Sequence, residues 1–96
     1  MPTYISLVNW TQKGIENVKD SAARLDKAKG AIKAAGGKLK AAYMTIGEYD
    51  LVVITEAPDD AAFARAMLQI SAAGSVHTHS LKAFTEAEYR KIIADL

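Results

Sequence analysis

Residues 46–60 constrain the fold more than any other part of this 96-residue chain. They begin with a glycine turn at residues 47–50, continue through the most apolar run of the sequence at residues 51–57, and end with Pro58 and two aspartates. An apolar run between turn signals is typical of a buried β-strand, and a proline followed by acids is typical of a helix start. The segment therefore predicts a hairpin turn, a central strand and a helix in direct succession.

Strand and helix patterns alternate along the rest of the chain. The predicted strands are residues 4–10, 38–46, 51–57 and 75–84. A long first helix is predicted from the N-cap residue Thr11 to Gly36-Gly37, a second from Pro58 to Gly74, and a third after a capping box that begins at Thr85.

Apolar spacing assigns the inner faces of these elements. The first helix carries a stripe of Ile15, Val18, Ala22, Leu25, Ala28, Ile32 and Ala35, and the second carries Phe63, Ala64, Met67, Leu68 and Ser71. In the second strand, Leu39, Ala41 and Tyr43 are predicted to share one face. The many alanines predict that the elements pack closely together.

The element order is β-α-β-β-α-β followed by a terminal helix. This is the ferredoxin-like split βαβ pattern, in which right-handed crossovers place both main helices on one face of a four-stranded antiparallel sheet. The expected strand order is 4-1-3-2, which puts the two most apolar strands at the centre. We therefore predict an α+β fold in which residues 1–96 form a single domain.

A sheet with helices on one face leaves its other face open. We expect Tyr4, Val8 and Trp10, with one side of Leu51–Ile54, to form an apolar patch on that open face. A patch of this kind is larger than a monomer usually exposes. The sequence therefore predicts a homodimer that packs sheet against sheet, either alone or within a larger ring.

The amino-acid composition disfavours some partners, chemistries and locations for this chain. Twelve lysines and arginines against eleven aspartates and glutamates give a net charge of +1, which does not favour a nucleic-acid partner. The chain has no cysteine, so disulfide and thiolate chemistry are excluded. We expect no signal peptide and no membrane span, because the chain lacks a basic start followed by an apolar run and lacks a long apolar window. A cytoplasmic location is the resulting expectation.

Six short motifs occur in a fixed order between Thr3 and Ile93. They are Trp10-Thr11, Gly14-Ile15, Lys19-Asp20-Ser21, Gly47-x-Tyr49-Asp50, Glu56-Ala57-Pro58-Asp59-Asp60 and Lys82-Ala83-Phe84. The set resembles the GYD domain family. The resemblance implies the dimeric α+β barrel group of ferredoxin-like folds, which includes cofactor-free monooxygenases, haem enzymes, small isomerases and effector-binding modules. It implies no particular activity, because one fold supports many functions.

Tyr49 and Asp50 are the first candidate site residues. A phenol and a carboxylate at the mouth of a barrel could exchange protons with an oxygenated substrate. The structural alternative is that Tyr49 covers the end of the core and Asp50 ties the turn by accepting backbone N–H bonds. Turn chemistry favours this second interpretation.

His77 and His79 are predicted to lie on the same face of the last strand, roughly 6.5–7 Å apart. Two imidazoles could chelate a metal, but a stable site needs a third ligand, which Glu48, Asp50 or Asn9 could supply only if the fold brings them near. An interface or pocket-lining role is favoured, and we predict no cofactor. Many members of the GYD family have arginine where this chain has His77, so the resemblance does not extend to histidine chemistry.

Asn9, Trp10 and Tyr43 form the third candidate group. The resemblance implies a cavity between helices and sheet, where related cofactor-free oxygenases hold aromatic substrates with Asn, Trp, Tyr and Arg side chains. Burial in the core is the alternative for such aromatic residues. Arg24, with Lys19 and Asp20, could also ring a pocket, although a solvated helix face is favoured for these charges.

Two functional hypotheses follow from these residues. The favoured one is an oligomeric module that binds a small molecule, or assembles with partners, without transforming the ligand. The alternative is a cofactor-free monooxygenase or isomerase acting on an aromatic or dicarbonyl compound, with Tyr43, Tyr49, Asp50 and His77 at its centre. An enzyme would require a water-poor cavity in which at least two polar groups converge.

Overall fold

The computed structural model describes all of residues 1–96. Its elements are β1 (Thr3–Trp10), α1 (Gln12–Glu16), a 3₁₀ turn (Val18–Asp20), α2 (Ser21–Ala34), β2 (Lys38–Met44), β3 (Leu51–Glu56), α3 (Asp60–Ala72), β4 (Val76–Ala83) and α4 (Glu86–Ala94). The four strands form one antiparallel sheet in the order β2-β3-β1-β4. The predicted ferredoxin-like α+β fold and its strand order are therefore confirmed. No helix is long and apolar enough to cross a bilayer.

The first predicted helix is wrong in one respect, because it is broken at residues 17–20 into α1 and α2. Arg24 stabilises the break by donating hydrogen bonds to the carbonyl oxygens of Asn17 (2.8 Å) and Gly14 (3.2 Å). Since the break changes the helical phase, Ile15 and Val18 leave the predicted apolar stripe and are 47% and 37% exposed.

The predicted assignment of the two sheet faces is also wrong. Tyr4 and Val8 are buried beneath the helices, and the ring of Tyr4 stacks on that of Phe63 in α3 with 3.9 Å between centroids. Trp10 is two residues after Val8 in β1 and so lies on the same, helix-facing side of the sheet. Strand periodicity separates two sets of residues, but only the docking of α3 decides which set the helices cover.

The open face of the sheet therefore carries the alternate residues. It consists of Thr3, Ile5, Leu7 and Asn9 in β1, Val52, Ile54 and Glu56 in β3, Lys38, Ala41 and Tyr43 in β2, and His77, His79, Leu81 and Ala83 in β4. Its centre is aliphatic, and the chain itself leaves it uncovered.

An irregularity in β2 changes the predicted side-chain pattern of that strand. Leu39 pairs with Thr55, but Ala41 pairs with Ile54, so Lys40 is an extra residue. Because one inserted residue shifts the alternation, Leu39 faces the helices while Ala41 and Tyr43 lie on the open face. The prediction that all three share one face is wrong for Leu39.

The helix ends follow local chemistry. The side chain of Asp59 accepts from the N–H of Ala62 (2.8 Å) and begins α3, and Gly74 ends it with φ +83°. The inner stripe differs from prediction in that Leu68 is 71% exposed and Ala66 is buried. Thr85 and Glu88 form the predicted capping box of α4.

The core is closed at one end of the molecule and open at the other. Tyr4, Ala57 and Phe63 are buried together and pack against Met67 at the closed end. Only 12 of 96 residues are buried, so large apolar surfaces stay uncovered. These surfaces are the open face and the apolar side of α4, where Tyr89 and Ile93 are exposed.

Candidate functional site

A cavity of about 420 Å³ lies between α2, α3 and the helix-facing side of the sheet. The sheet contributes Val8 and Val53, α2 contributes Leu25 and Ala28, and α3 contributes Ile70 to its walls. Lys13 of α1, Ser21 and Arg24 at the start of α2 and Ala73 after α3 line one end of the cavity, which we call the mouth. An apolar concavity of this size is typical of a small-molecule site.

Alanine is the reason why this space is empty. Ala28 and Ala31 of α2 line the cavity, where larger side chains would fill it. At the closed end, by contrast, Tyr4 and Phe63 fill the space between α3 and the sheet. The prediction of close packing from the many alanines is therefore wrong at the open end of the core.

Charged groups at the cavity are all positive. Lys13, Arg24 and Lys27 contribute to the lining, which contains no aspartate or glutamate. The floor adds hydroxyl groups from the sheet, but the hydroxyl of Ser6 is already hydrogen-bonded to that of Ser80 (2.9 Å). The cavity thus combines apolar walls with a cationic mouth.

Contacts between α1 and the end of α3 hold the mouth in place. Thr11 donates its N–H to the carbonyl of Ser75 (3.1 Å) and its hydroxyl to the carbonyl of Gly74 (2.6 Å). The ammonium group of Lys13 donates to the carbonyl of Ala73 (2.9 Å). Its positive charge is also favoured there by the negative end of the α3 dipole. Gly14 is buried against Ser75 and lets the two segments approach closely.

Four of the predicted site residues gather elsewhere, at one end of the open face. His77 pairs with Asn9 across β4 and β1, its ring centroid is 5.0 Å from that of His79, and the ring of Tyr49 is 6.1 Å from that of His79. Both histidines are exposed. No three His, Cys, Asp or Glu side chains converge in a way that could hold a metal ion.

Asp50 ties the β2–β3 connection to β1. Its carboxylate accepts the N–H of Trp10 (2.9 Å), its own N–H binds the carbonyl of Val8 (2.9 Å), and its carbonyl accepts the N–H of Thr45 (2.8 Å). These bonds match the predicted turn-tying role. They also leave Asp50 outside the cavity lining.

The side chains of the two remaining predicted residues lie away from the histidine cluster, although the backbone of Trp10 is bonded to Asp50. Tyr43 is 60% exposed on β2, in the same row of the open face as Val52, Leu7 and His79. Trp10 is half-buried, and its indole N–H is buried without a hydrogen-bond partner. The seven predicted residues therefore do not form one site, and a ligand-binding role for them stays a prediction.

A family model described as GYD domain matches residues 4–93. The chain belongs to the GYD domain family. A Thermus thermophilus relative of this GYD domain is called "Glutamine synthetase and cystathionine beta-lyase binding protein". It is 36% identical over 89 residues, which cover 92% of this chain and 94% of the relative.

Solved structures with low sequence identity share the fold of this GYD domain. A feast or famine regulatory protein from Mycobacterium tuberculosis, complexed with L-methionine, has a TM-score of 0.67 at 15% identity. That match covers 88% of this chain and 51% of the regulatory protein, so the GYD domain spans about half its length. A solved protein from Thermus thermophilus has a TM-score of 0.57 at 23% identity, covering 88% of this chain and 95% of the other.

A polar cluster at the closed end of this GYD domain had no counterpart in the predicted sites. The hydroxyl of Tyr4 donates to the carboxylate of Asp60 (2.5 Å), which Lys82 also contacts at 3.2 Å. Burial, and then the hydrogen bond and charge of Asp60, raise the pKa of Tyr4 to about 12. The hydrogen bonds from Tyr4 and Lys82 lower the pKa of Asp60. The predicted strand order already placed the first and last strands side by side. It did not give their register, which places Lys82 opposite Tyr4 and which depends on the complete fold.

The raised pKa of Tyr4 predicts a loss of stability at alkaline pH. The phenol stays neutral in the folded state up to a pH of about 12, whereas it ionises near its ordinary value of 10.0 in the unfolded state. Stability is therefore complete below pH 10 and falls as pH rises towards 12. We expect wild type to lose roughly 1 kcal/mol more than Tyr4→Phe between pH 9 and pH 11. Urea unfolding at both pH values measures this, and equal losses would show that the phenol is not protected.

Proposed function

We propose that this GYD domain is an oligomeric binding module that takes an apolar small molecule into the cavity between α2, α3 and the sheet. The cavity of about 420 Å³ carries this proposal. Its volume falls within the range of small-molecule sites, and its walls are mainly aliphatic with polar groups at the mouth. Transfer of apolar ligand surface from water to such walls supplies the binding free energy.

The open face supports the oligomeric part of the proposal. Ile5 lies between Ile54 and Leu81 in one row, and Leu7 lies between Val52 and His79 in the next. The centre of the face carries no charged side chain, so a second copy meets no repulsion there. A stable dimer interface buries on the order of 800 Å² per partner, and the open face of a four-stranded sheet can supply the central part of such an interface. A second copy of the chain is therefore the occupant that we propose.

The name of the Thermus thermophilus relative supports a function by binding. That protein is described as binding two enzymes, and the relative matches nearly the whole of this chain. For this chain we propose the corresponding general role, in which the assembled module binds and presents ligands or partners and does not transform them.

The arrangement of the predicted catalytic residues does not support the enzyme alternative. Tyr49 and His77 lie at the end of the open face, Asp50 is bound to backbone groups, and Tyr43 is exposed on β2. None of these residues lines the cavity. Asn9, Tyr49, His77 and His79 do converge, but they lie at an exposed end of the open face and not in the water-poor cavity that an enzyme requires.

A cavity-filling substitution tests the binding proposal. We expect the neutral fluorophore N-phenyl-1-naphthylamine to bind wild type and to lose roughly tenfold or more in affinity in Ala28→Phe, because the added ring occupies the ligand volume. Ala23→Phe is the matched control, since Ala23 is exposed on the same helix and does not line the cavity. Fluorescence titration measures both, and equal affinity in the two variants would contradict the proposal.

A further inference from the structure

We infer that the cavity selects an amphiphilic carboxylate, which places its apolar body in the cavity and its carboxylate at the mouth beside Lys13 and Arg24. This inference rests on the proposed function, and it adds the chemical class of the ligand. The observations that carry it are the sign of the charges at the mouth, the fixed position of two of them, and the mainly apolar walls deeper in the cavity.

The positive groups at the mouth have no acidic partners. The ion pairs of the protein are Lys40–Glu56, Lys82–Asp60 and Arg90–Glu86. Lys13, Arg24 and Lys27 take part in none of these, although the chain has eleven acidic residues. A carboxylate that enters the mouth therefore meets cations that no acidic side chain contacts in an ion pair.

The fold positions Arg24 as an anion receptor. Its two terminal nitrogens donate to the carbonyl oxygens of Asn17 and Gly14, which fix the half-buried guanidinium beside the break between α1 and α2. The remaining N–H groups of the guanidinium are free to donate to a carboxylate in the forked geometry that arginine favours. Because the side chain is already ordered, binding costs little further conformational entropy.

Lys13 approaches the mouth from α1. Its ammonium group donates one hydrogen bond to the carbonyl of Ala73 and retains further N–H groups for an incoming oxygen. The carbonyl carries no formal charge, so the negative end of the α3 dipole offsets only part of the positive charge of the ammonium. Two cations from different elements thus lie at the open end of one cavity.

The deeper walls require the rest of the ligand to be apolar. Val53, Met67 and Ile70 offer no hydrogen-bonding side-chain groups. Of the hydroxyls on the sheet, that of Ser6 is paired with Ser80, and that of Thr78 is left as an isolated polar group among apolar walls. A polar group buried at this depth without a partner costs binding free energy. The cavity therefore favours a molecule that is polar at one end only.

Competition between matched probes tests the inference. Octanoate and octanamide have the same apolar chain and differ in the charge of the head group, and each can displace N-phenyl-1-naphthylamine from the cavity. In wild type, we expect octanoate to displace the fluorophore at a concentration at least about tenfold lower than octanamide does. The preference should decrease as salt concentration rises.

Three variants assign the preference to the mouth. Arg24→Gln and, separately, Lys13→Gln should reduce the preference for octanoate while the affinity for the neutral fluorophore is retained. Lys29→Gln removes one positive charge from an exposed position of α2 outside the cavity and should keep the preference. If Arg24→Gln proves unstable, Lys13→Gln gives the same test, because Lys13 is exposed.

The outcomes separate the inference from the proposed function. Equal displacement by octanoate and octanamide in wild type, or an unchanged preference in both mouth variants, overturns the inference and leaves the apolar binding module intact. Failure of the neutral fluorophore to bind wild type overturns the proposed function, and the inference fails with it.

Discussion

Leu7→Glu is expected to convert the proposed dimer into a monomer. Leu7 lies on β1 at the centre of the open face, between Val52 and His79. Glutamate at this position would be buried in an apolar interface without a partner, at a cost of several kcal/mol. In a symmetric dimer each substitution acts twice, so the dissociation constant should rise by roughly a hundredfold or more. Light scattering coupled to size-exclusion chromatography at micromolar concentration measures the change in mass.

The matched control for this variant is Leu68→Glu. Leu68 is 71% exposed on the outer side of α3, where an additional carboxylate remains in water. The Leu68→Glu protein should stay dimeric with an unchanged circular dichroism spectrum. A wild-type protein that is monomeric at micromolar concentration, or a folded Leu7→Glu protein that remains dimeric, would contradict the proposed interface.

Gly14→Ala is expected to destabilise the fold by about 1–3 kcal/mol or more. A Cβ at this position would overlap the carbonyl oxygen of Ser75 and would lie 3.3 Å from Cβ of Trp10. Since the nearest atom belongs to the backbone, α1 must move away from the start of β4. That movement weakens both hydrogen bonds from Thr11 to residues 74 and 75. The loss outweighs the gain of about 1 kcal/mol that alanine brings to a helix interior.

Gly30→Ala is the matched control for Gly14→Ala, and we expect it to stabilise the protein. Gly30 lies in α2, and a Cβ there would meet no atom within 4 Å. We therefore expect this variant to be more stable than wild type by about 1 kcal/mol. Urea unfolding of the three proteins gives the free energies of unfolding. Equal stability of Gly14→Ala and Gly30→Ala would show that the close approach of α1 to Ser75 is not needed.

Local chemistry explains why much of the fold was predictable. Residues 46–60 form the turn, the central strand β3 and the start of α3 because turn residues, apolar runs and N-caps act within a few positions. The capping box at Thr85 and the helix end at Gly74 are local in the same way. These features need no knowledge of distant contacts.

The errors arose where distant contacts decide the outcome. The alternation in β1 is equally compatible with either face being covered, and the stacking of Tyr4 on Phe63 resolves it. The break between α1 and α2 depends on Arg24 reaching carbonyl groups seven and ten residues earlier. Similarly, the bulge at Lys40 appears only once β2 pairs with β3.

The candidate site was harder to predict than the fold. A cavity is a volume that side chains leave empty, and the alanines at positions 28 and 31 gave the opposite expectation of close packing. Arg24 was interpreted as part of a solvated face, because its role depends on where α1 and α3 end. By contrast, Asp50 ties the turn by accepting a backbone N–H bond as predicted, although that N–H belongs to Trp10 of β1 and not to the turn itself. The cluster of Tyr49, His77 and His79 is real in space, but its function remains a prediction.

Native mass spectrometry of the protein purified from its own source tests the central claim most directly. The proposed function predicts a dimer that retains a non-covalent small molecule, which is released when the protein unfolds. Ala28→Phe should give the same dimer without the bound molecule, and Ala23→Phe should retain it. A monomer without a ligand, or equal retention of the ligand by both variants, would contradict the proposal that the cavity between α2, α3 and the sheet is a binding site.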